Sequence, residues 1–139
     1  MQVASAGNQP LVEWRPGVRT RLHAASSTGA EHLCVIEQLC DPGTGAPPHR
    51  HDGVEEVIAI LEGRARFFVD EEEAELAAGE SLLVPAGARH GFTNVGEEVL
   101  RVLAAFSSAI QVRPSEQYPA SRITPSWRRS IAPIRPRPC

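Results

Sequence analysis

The stretch PHRHDGVEEVIAILEG, residues 48–63, places His49 and His51 one residue apart, with Glu55 and Glu56 close behind at the mouth of an apolar run. On an extended segment, residues two apart face the same side, so both imidazoles point one way. Glu56 lies five residues beyond His51, the wrong parity for a continuous strand. Asp52-Gly53 intervenes, however, and a glycine turn or bulge there resets the phase. Glu56 then shares an inner face with Ile58 and Ile60. Two neutral imidazoles and a carboxylate converging from a strand and its entry loop make a strong site for a divalent metal. A carboxylate buried alone is costly, and a cation removes that cost.

A fourth ligand has to come from elsewhere in the sheet. The second conspicuous stretch is GESLLVPAGARHGFTN, residues 79–94. Pro85 and Gly87 turn the chain sharply there, and His90 opens the strand that follows. Leu83 and Phe92 on either side suit a closed interior.

The elements that hold these residues are strands. Short alternating or apolar runs separated by turn residues predict an all-β sandwich or barrel. Strands are expected over VRTRLH (18–23), HLCVIEQLC (32–40), VEEVIAILEG (54–63), RARFFVD (64–70), SLLVP (81–85), HGFTNV (90–95) and VLRVLAAF (99–106). DPGTGAPP (41–48) is read as non-strand, because proline lacks the ladder donor and glycine favours irregular dihedrals. The acidic run Asp70 to Glu73 reads as an exposed hairpin tip. Roughly eight strands in this length is the count of a jelly roll or small double-sheet barrel. Phe67, Phe68, Leu83, Phe92, Leu103 and Phe106 are expected in its core, some of them lining a pocket for a small, partly apolar ligand.

Both chemical stretches resemble the two motifs of the cupin family. The pattern G-x5-H-x-H-x4-E-x6-G is matched by Gly43, His49, His51, Glu56 and Gly63. The pattern G-x5-P-x-G-x2-H-x3-N is matched by Gly79, Pro85, Gly87, His90 and Asn94. The fifteen residues between Gly63 and Gly79 are similar to the short spacer of small bacterial cupins. The resemblance spans 43–94 by motif and about 18–112 by strand pattern. It implies an all-β, double-stranded β-helix or jelly-roll barrel around one divalent transition metal (Fe, Mn, Ni, Co or Zn). The ligands it implies are His49, His51, Glu56 and His90. Glu55 competes with Glu56, since some cupins use a shorter gap, but the spacing to Gly63 selects Glu56 and leaves Glu55 outside. Such a set leaves about two of six octahedral positions open, which Lewis-acid or oxygen chemistry requires. Gly43, Gly63, Gly79, Gly87, Pro85 and Asn94 are read as turn residues, with Asn94 bracing its loop.

Composition bounds the remaining possibilities. At 139 residues the chain fits one domain, a barrel over 1–113 followed by a Pro/Arg-rich tail over 114–139. The tail begins with an expected helical turn near Ser115 to Tyr118. The first expectation is a loose tail; its Ile123, Trp127, Ile131 and Ile134 are costly to leave wet, so docking across the barrel or onto a second subunit is the alternative. Every basic residue is arginine, which excludes Schiff-base and lysine general-base chemistry. Residues 1–113 carry about −7 and 114–139 about +4; an acidic body with few aromatics argues against nucleic acid. No run reaches the ~20 apolar residues of a membrane span, and the first residues lack the features of a secretory signal, so a cytoplasmic address is expected. Three cysteines without CxxC spacing indicate neither a disulfide framework nor a zinc knuckle.

Three functional classes follow. The leading one is a metal-dependent enzyme acting on a small oxygen-bearing substrate, with dioxygenase-type oxidation ahead and Glu56 doubling as proton acceptor. The second is a redox-neutral isomerase, cyclase, decarboxylase or lyase. The third is a non-catalytic small-molecule binding module. His23, Glu37, Gln38, Arg66 and Tyr118 are candidates to reach the pocket. Glu37 shares the parity of Leu33, Val35 and Leu39, an odd place for a carboxylate if that parity faces inward. It is a candidate to stand behind the ligands or against a substrate, the alternative being an ordinary surface carboxylate. A homodimer is expected.

Overall fold

The alternation read from the sequence resolves into two antiparallel sheets in the computed structural model, which describes residues 1–109. The strands are β1 (Val12–Arg15), β2 (Val18–Ala24), β3 (Cys34–Cys40), β4 (Gly45–His49), β5 (Glu56–Glu62), β6 (Arg64–Val69), β7 (Glu72–Ala77), β8 (Ser81–Val84), β9 (His90–Asn94) and β10 (Leu100–Phe106). One sheet runs β1-β2-β3-β10-β5-β8 and the other β4-β9-β6-β7. Apolar inner faces close on each other, with Ile58, Ile60, Val102 and Ala104 from the first meeting Phe67 and Phe92 from the second. This is the double-sheet jelly roll expected. The domain boundary at 113, the helical turn at 115–118 and the apolar tail residues lie outside the described residues, as does Tyr118.

Three strands escaped the sequence reading. β4 contains Pro47 and Pro48, which were read as excluding a strand. It is an edge strand, and its register with β9 shifts between Ala46 and His49, so the prolines sit where no ladder donor is needed. β7 includes part of the acidic run. It too is an edge strand, leaving only Asp70 and Glu71 at the hairpin tip, where Asp70 takes φ 50°. β1 sits at the other sheet's edge.

Parity on β3 is also corrected. Cys34, Ile36, Gln38 and Cys40 face the interior, whereas Val35, Glu37 and Leu39 face outward. Leu83 is 58% exposed rather than core, and Leu103 shares the outward parity of β10. Phe68, opposite Gly91, likewise points away from the interior that Phe67 and Phe92 fill. Cys34 and Cys40 are free thiols.

Candidate metal centre

Four donors converge where the open ends of the two sheets meet. His49 ends β4 and His90 opens β9, and the two residues are register partners, with ring centroids 4.2 Å apart. Two glycines permit this close pairing. A Cβ on Gly45 would meet the Phe92 carbonyl oxygen at 2.1 Å, and one on Gly91 the Ala46 carbonyl oxygen at 2.7 Å. Any larger residue there would push β4 off β9 and separate the imidazoles. Neither glycine belongs to a motif, and only the pairing of β4 with β9 reveals their role.

His51 follows β4 in the loop, and Gly53 at φ +71° makes the turn that resets the chain. Glu56 then opens β5 from the opposite sheet with its side chain inward, 5% exposed. Glu55 is exposed and its amide donates to Ser107 Oγ, outside the cluster. One ligand atom from each of His49, His51, Glu56 and His90 lies within 4.8 Å of all the others.

The hydrogen bonds set the tautomers. Nδ1–H of His49 donates to the Pro47 carbonyl at 2.8 Å, and Nδ1–H of His90 to the Ala88 carbonyl at 2.9 Å. Both rings are thereby locked with Nε2 turned inward, the arrangement that makes imidazole a good ligand. His90 Nε2 lies 2.8 Å from Glu56 Oε2, and His51 Nε2 lies 3.5 Å from the same oxygen. Burial pushes His49 down to about 3, with the neighbouring imidazoles adding to the effect. Burial also lowers His51, against the pull of Glu56. For His90, burial opposes the charge, but the hydrogen bond to Glu56, helped by that to Ala88, outweighs it and raises the group. Burial thus favours the neutral ring at His49 and His51, while His90 is tied to the Glu56 carboxylate by a hydrogen bond of 2.8 Å.

This donor set fits a metal. His51 Nε2 is buried and has no hydrogen-bond partner, an atom a protein does not leave dry without reason. A cation held by His49, His51, Glu56 and His90 would satisfy it. Three imidazole nitrogens and one carboxylate oxygen suit the first-row divalent ions. Cys34 shares the cross-strand row of Glu56 through Phe106. Burial first, and then the Glu56 charge, push its thiol up to about 11, so it stays protonated.

Beside the donors runs a narrow cavity with walls of Ile36, Ile58, Phe92, Val102, Ala104 and Phe106. Phe106 stands edge-on to His51 at 5.2 Å between ring centroids. Trp14 of β1 closes one side and was missed because β1 itself was missed; the alternation of Val12 and Trp14 was the available signal. Gln38 brings an amide into the lining, and its Nε2 donates to Thr20 Oγ1 at 3.2 Å. Glu37, His23 and Arg66 do not reach the cavity. Glu37 is on the outer face, bonded to Arg101, to Arg21 at 3.2 Å and to His23 at 3.2 Å. Asn94 braces its loop as expected, donating to the Cys40 and Glu98 carbonyls and accepting from Gly96 N–H.

Fold and donor set together define a double-sheet β-barrel with a metal-competent centre. The cupin domain family model matches residues 36–106, and the chain belongs to the cupin family. It is 37% identical over 84 residues to polyketide synthase CurC of Streptomyces cyaneus, a match covering 60% of this chain and 52% of that protein. The chain thus spans about half the length of that relative. It is 32% identical to dimethylsulfoniopropionate lyase DddW of Ruegeria pomeroyi over 76% of this chain and 66% of that one. Its fold matches KdgF from a Halomonas species with a TM-score of 0.72 at 18% identity, covering 80% of this chain and 96% of that one. Relatives of this chain thus include enzymes. No helix among the described residues is long and apolar enough to cross a membrane.

Proposed function

We infer that the protein is a metal-dependent cupin enzyme acting on a small oxygen-bearing organic molecule, with oxidation by dioxygen as its leading reaction. One observation carries this reading: a buried imidazole nitrogen on His51 without a hydrogen-bond partner stands among three further donors at the wall of an apolar cavity. A divalent ion held by His49, His51, Glu56 and His90 supplies Lewis acidity and, if redox-active, electrons for oxygen chemistry.

The chain's own groups supply the rest. Pro47 and Ala88 carbonyls hold two imidazoles in one tautomer, so the centre is organised before substrate arrives. Glu56 is the carboxylate of the cavity lining and the acceptor for a proton leaving a substrate hydroxyl or carbon acid. With its nitrogen held by Thr20, Gln38 offers its oxygen to a substrate hydroxyl. The aliphatic walls exclude water and strengthen each polar contact.

A second reading, a redox-neutral lyase or cyclase, is favoured by the identity to the dimethylsulfoniopropionate lyase. There Glu56 removes a proton next to a carbonyl, and no oxygen is consumed.

The test is metal content by elemental mass spectrometry on protein purified without chelator, then oxygen uptake across small phenols, enols and hydroxy acids. Near-stoichiometric iron or manganese with substrate-dependent uptake is expected. Turnover without uptake moves the assignment to the lyase or cyclase class. Failure to bind any first-row ion after reconstitution leaves a binding module and overturns the enzyme reading.

A further inference from the structure

Strand β1 carries an extra residue. It advances two positions, from Glu13 to Arg15, against one on β2, from Arg19 to Val18, so Trp14 has no register partner. In unbroken alternation Trp14 and Arg15 would face opposite sides. The bulge turns both inward, since Arg15 is paired with Val18, which is fully buried. Trp14 packs against the core and lines the cavity. Arg15 reaches across to the other sheet, its Nε–H donating to the Gly45 carbonyl of β4 at 2.8 Å. An edge strand is thereby tied to the strand that ends in His49, with an indole aimed at the cavity between them.

The register orders the cavity wall. Along the inner face of the six-stranded sheet, Glu56 shares a row with Phe106, Ile58 with Ala104 and Ile36, and Ile60 with Val102 and Gln38. Gln38 therefore stands two inward steps beyond Glu56. It is the partner of Thr20, and Thr20 of Val12, two residues before Trp14. Trp14 thus belongs to the end of the wall remote from the donors, where Gln38 also lies.

Donors and indole wall the same small space. Its volume is about 20 Å³, room for one water-sized or methyl-sized group. A benzene ring takes ~150 Å³ in an apolar protein cavity. The donors stand where the open ends of the sheets meet, so the oxygenated end of a ligand can stay at the mouth while its tail enters. Ile36, Ile58, Phe92, Val102, Ala104 and Phe106 come from β3, β5, β9 and β10, strands paired on both sides. Among the described residues, Trp14 is the one bulky apolar wall on an edge strand.

We infer that Trp14 is the residue that limits substrate size, ending the cavity behind a short aliphatic molecule with its oxygenated end at the donors and excluding long chains and aromatic rings. The inference rests on the reading of this cavity as the place of the substrate.

The test is a binding titration of the full chain loaded with Co(II), whose visible absorption changes when an oxygen ligand joins the metal. The probes are glycolate, lactate, 2-hydroxyhexanoate and mandelate, which share one oxygenated head and differ in the tail. The parent is expected to bind glycolate and lactate, and to bind 2-hydroxyhexanoate and mandelate at least ~10-fold more weakly, since a closed apolar pocket discriminates by about that factor per misplaced methylene. Trp14→Ala should abolish the difference, and Trp14→Leu, a milder truncation, should reduce it; the latter carries the test where the former fails to fold by circular dichroism. Glycolate, which has no tail, should bind every variant alike. Val12→Ala, on the same strand but 46% exposed, should keep the parent profile. A parent that binds long and short acids equally, a cut-off unchanged in the folded Trp14 variants, or a Val12→Ala profile that shifts as far as theirs would overturn the role of Trp14 alone. No acid bound by any of these proteins would overturn the reading of the cavity itself, and the inference with it.

Discussion

Two glutamates are buried among the described residues, Glu37 and Glu56, and they live opposite lives. Glu37, 2% exposed, lies on the outer face under Arg101, Arg21 and His23. Burial alone would raise its carboxyl, but hydrogen bonds from Arg101 and His23 and the charges of Arg101 and Arg21 outweigh it. They hold the group below the usual carboxylate range. Glu56, 5% exposed, lies inside among imidazoles, with no arginine bonded to it. Guanidinium is a permanent cation, so Glu37 is closed to further ligands. Imidazole is a conditional one, so Glu56 and His51 still call for positive charge. The same residue type is structural in one place and available for chemistry in the other because of what faces it.

The contrast breaks most sharply at the centre. His51→Ala should take metal occupancy from near one ion per chain to near zero and lower activity by ~100-fold or more, read by elemental analysis and turnover. Unchanged occupancy would show that the imidazole whose Nε2 lacks a hydrogen-bond partner has no ligand role either. The paired exchange comes next. Glu56→Gln should abolish tight metal binding while changing metal-free stability by about 1 kcal/mol or less, since an amide can still bond His90. Glu37→Gln should leave metal content untouched and cost about 2–3 kcal/mol in urea unfolding, because it strips the arginines of their charge partner. Saturating the parent with its ion at ~100 times the dissociation constant should add about 2.7 kcal/mol; Glu37→Gln should keep that increment and Glu56→Gln should lose it.

Sequence reached one of these glutamates far better than the other. Glu56 was legible because the turn at Gly53 resets the parity after His51, a local event that residue types announce, and because the E-x6-G spacing of the cupin motif selects it over Glu55. Glu37 was misread because parity within a strand does not say which parity faces in; that is decided by the partner sheet. The same blindness placed Leu83 in the core. An apolar residue on an uncovered face reads like a buried one, since the sequence records that it is apolar and not what covers it. β4 and β7 were lost for a related reason. Edge position excuses prolines on one and three glutamates on the other, and edge position follows from strand order, a non-local property. Gly45 and Gly91 likewise gain meaning only when β4 lies against β9.

Acid sharpens the comparison with a smaller effect. A depressed carboxyl binds fewer protons folded than unfolded, so Glu37 contributes stability above the unfolded value of about 4.3, and that stability is lost as pH falls through the lower folded value. In the metal-free parent, His49 and His51, both depressed by burial, already cost stability as pH falls below about 6.5, offset in part by His90, whose value is raised; Glu37 adds its own loss from about pH 5 downward. Glu37→Gln should show a shallower decline across the same window by urea unfolding. An identical slope in both proteins would mean that the acid response originates elsewhere.

The smallest effect belongs to Arg101→Met. Its side chain is 41% exposed, and its second partner, Glu62, is 66% exposed, so water screens much of what the ion pairs gain. Arg21 and His23 remain on Glu37 in its absence. The loss should be about 1 kcal/mol or less, well below that of Glu37→Gln. Arg21→Met should behave alike on its own. The double variant leaves a buried carboxylate with His23 alone, and its loss should exceed the sum of the singles by ~1 kcal/mol, because groups sharing one partner do not act independently. Additive losses would mean that water reaches Glu37 once either arginine goes. In that case the contrast with Glu56 rests on exposure rather than on the kind of cation each glutamate faces.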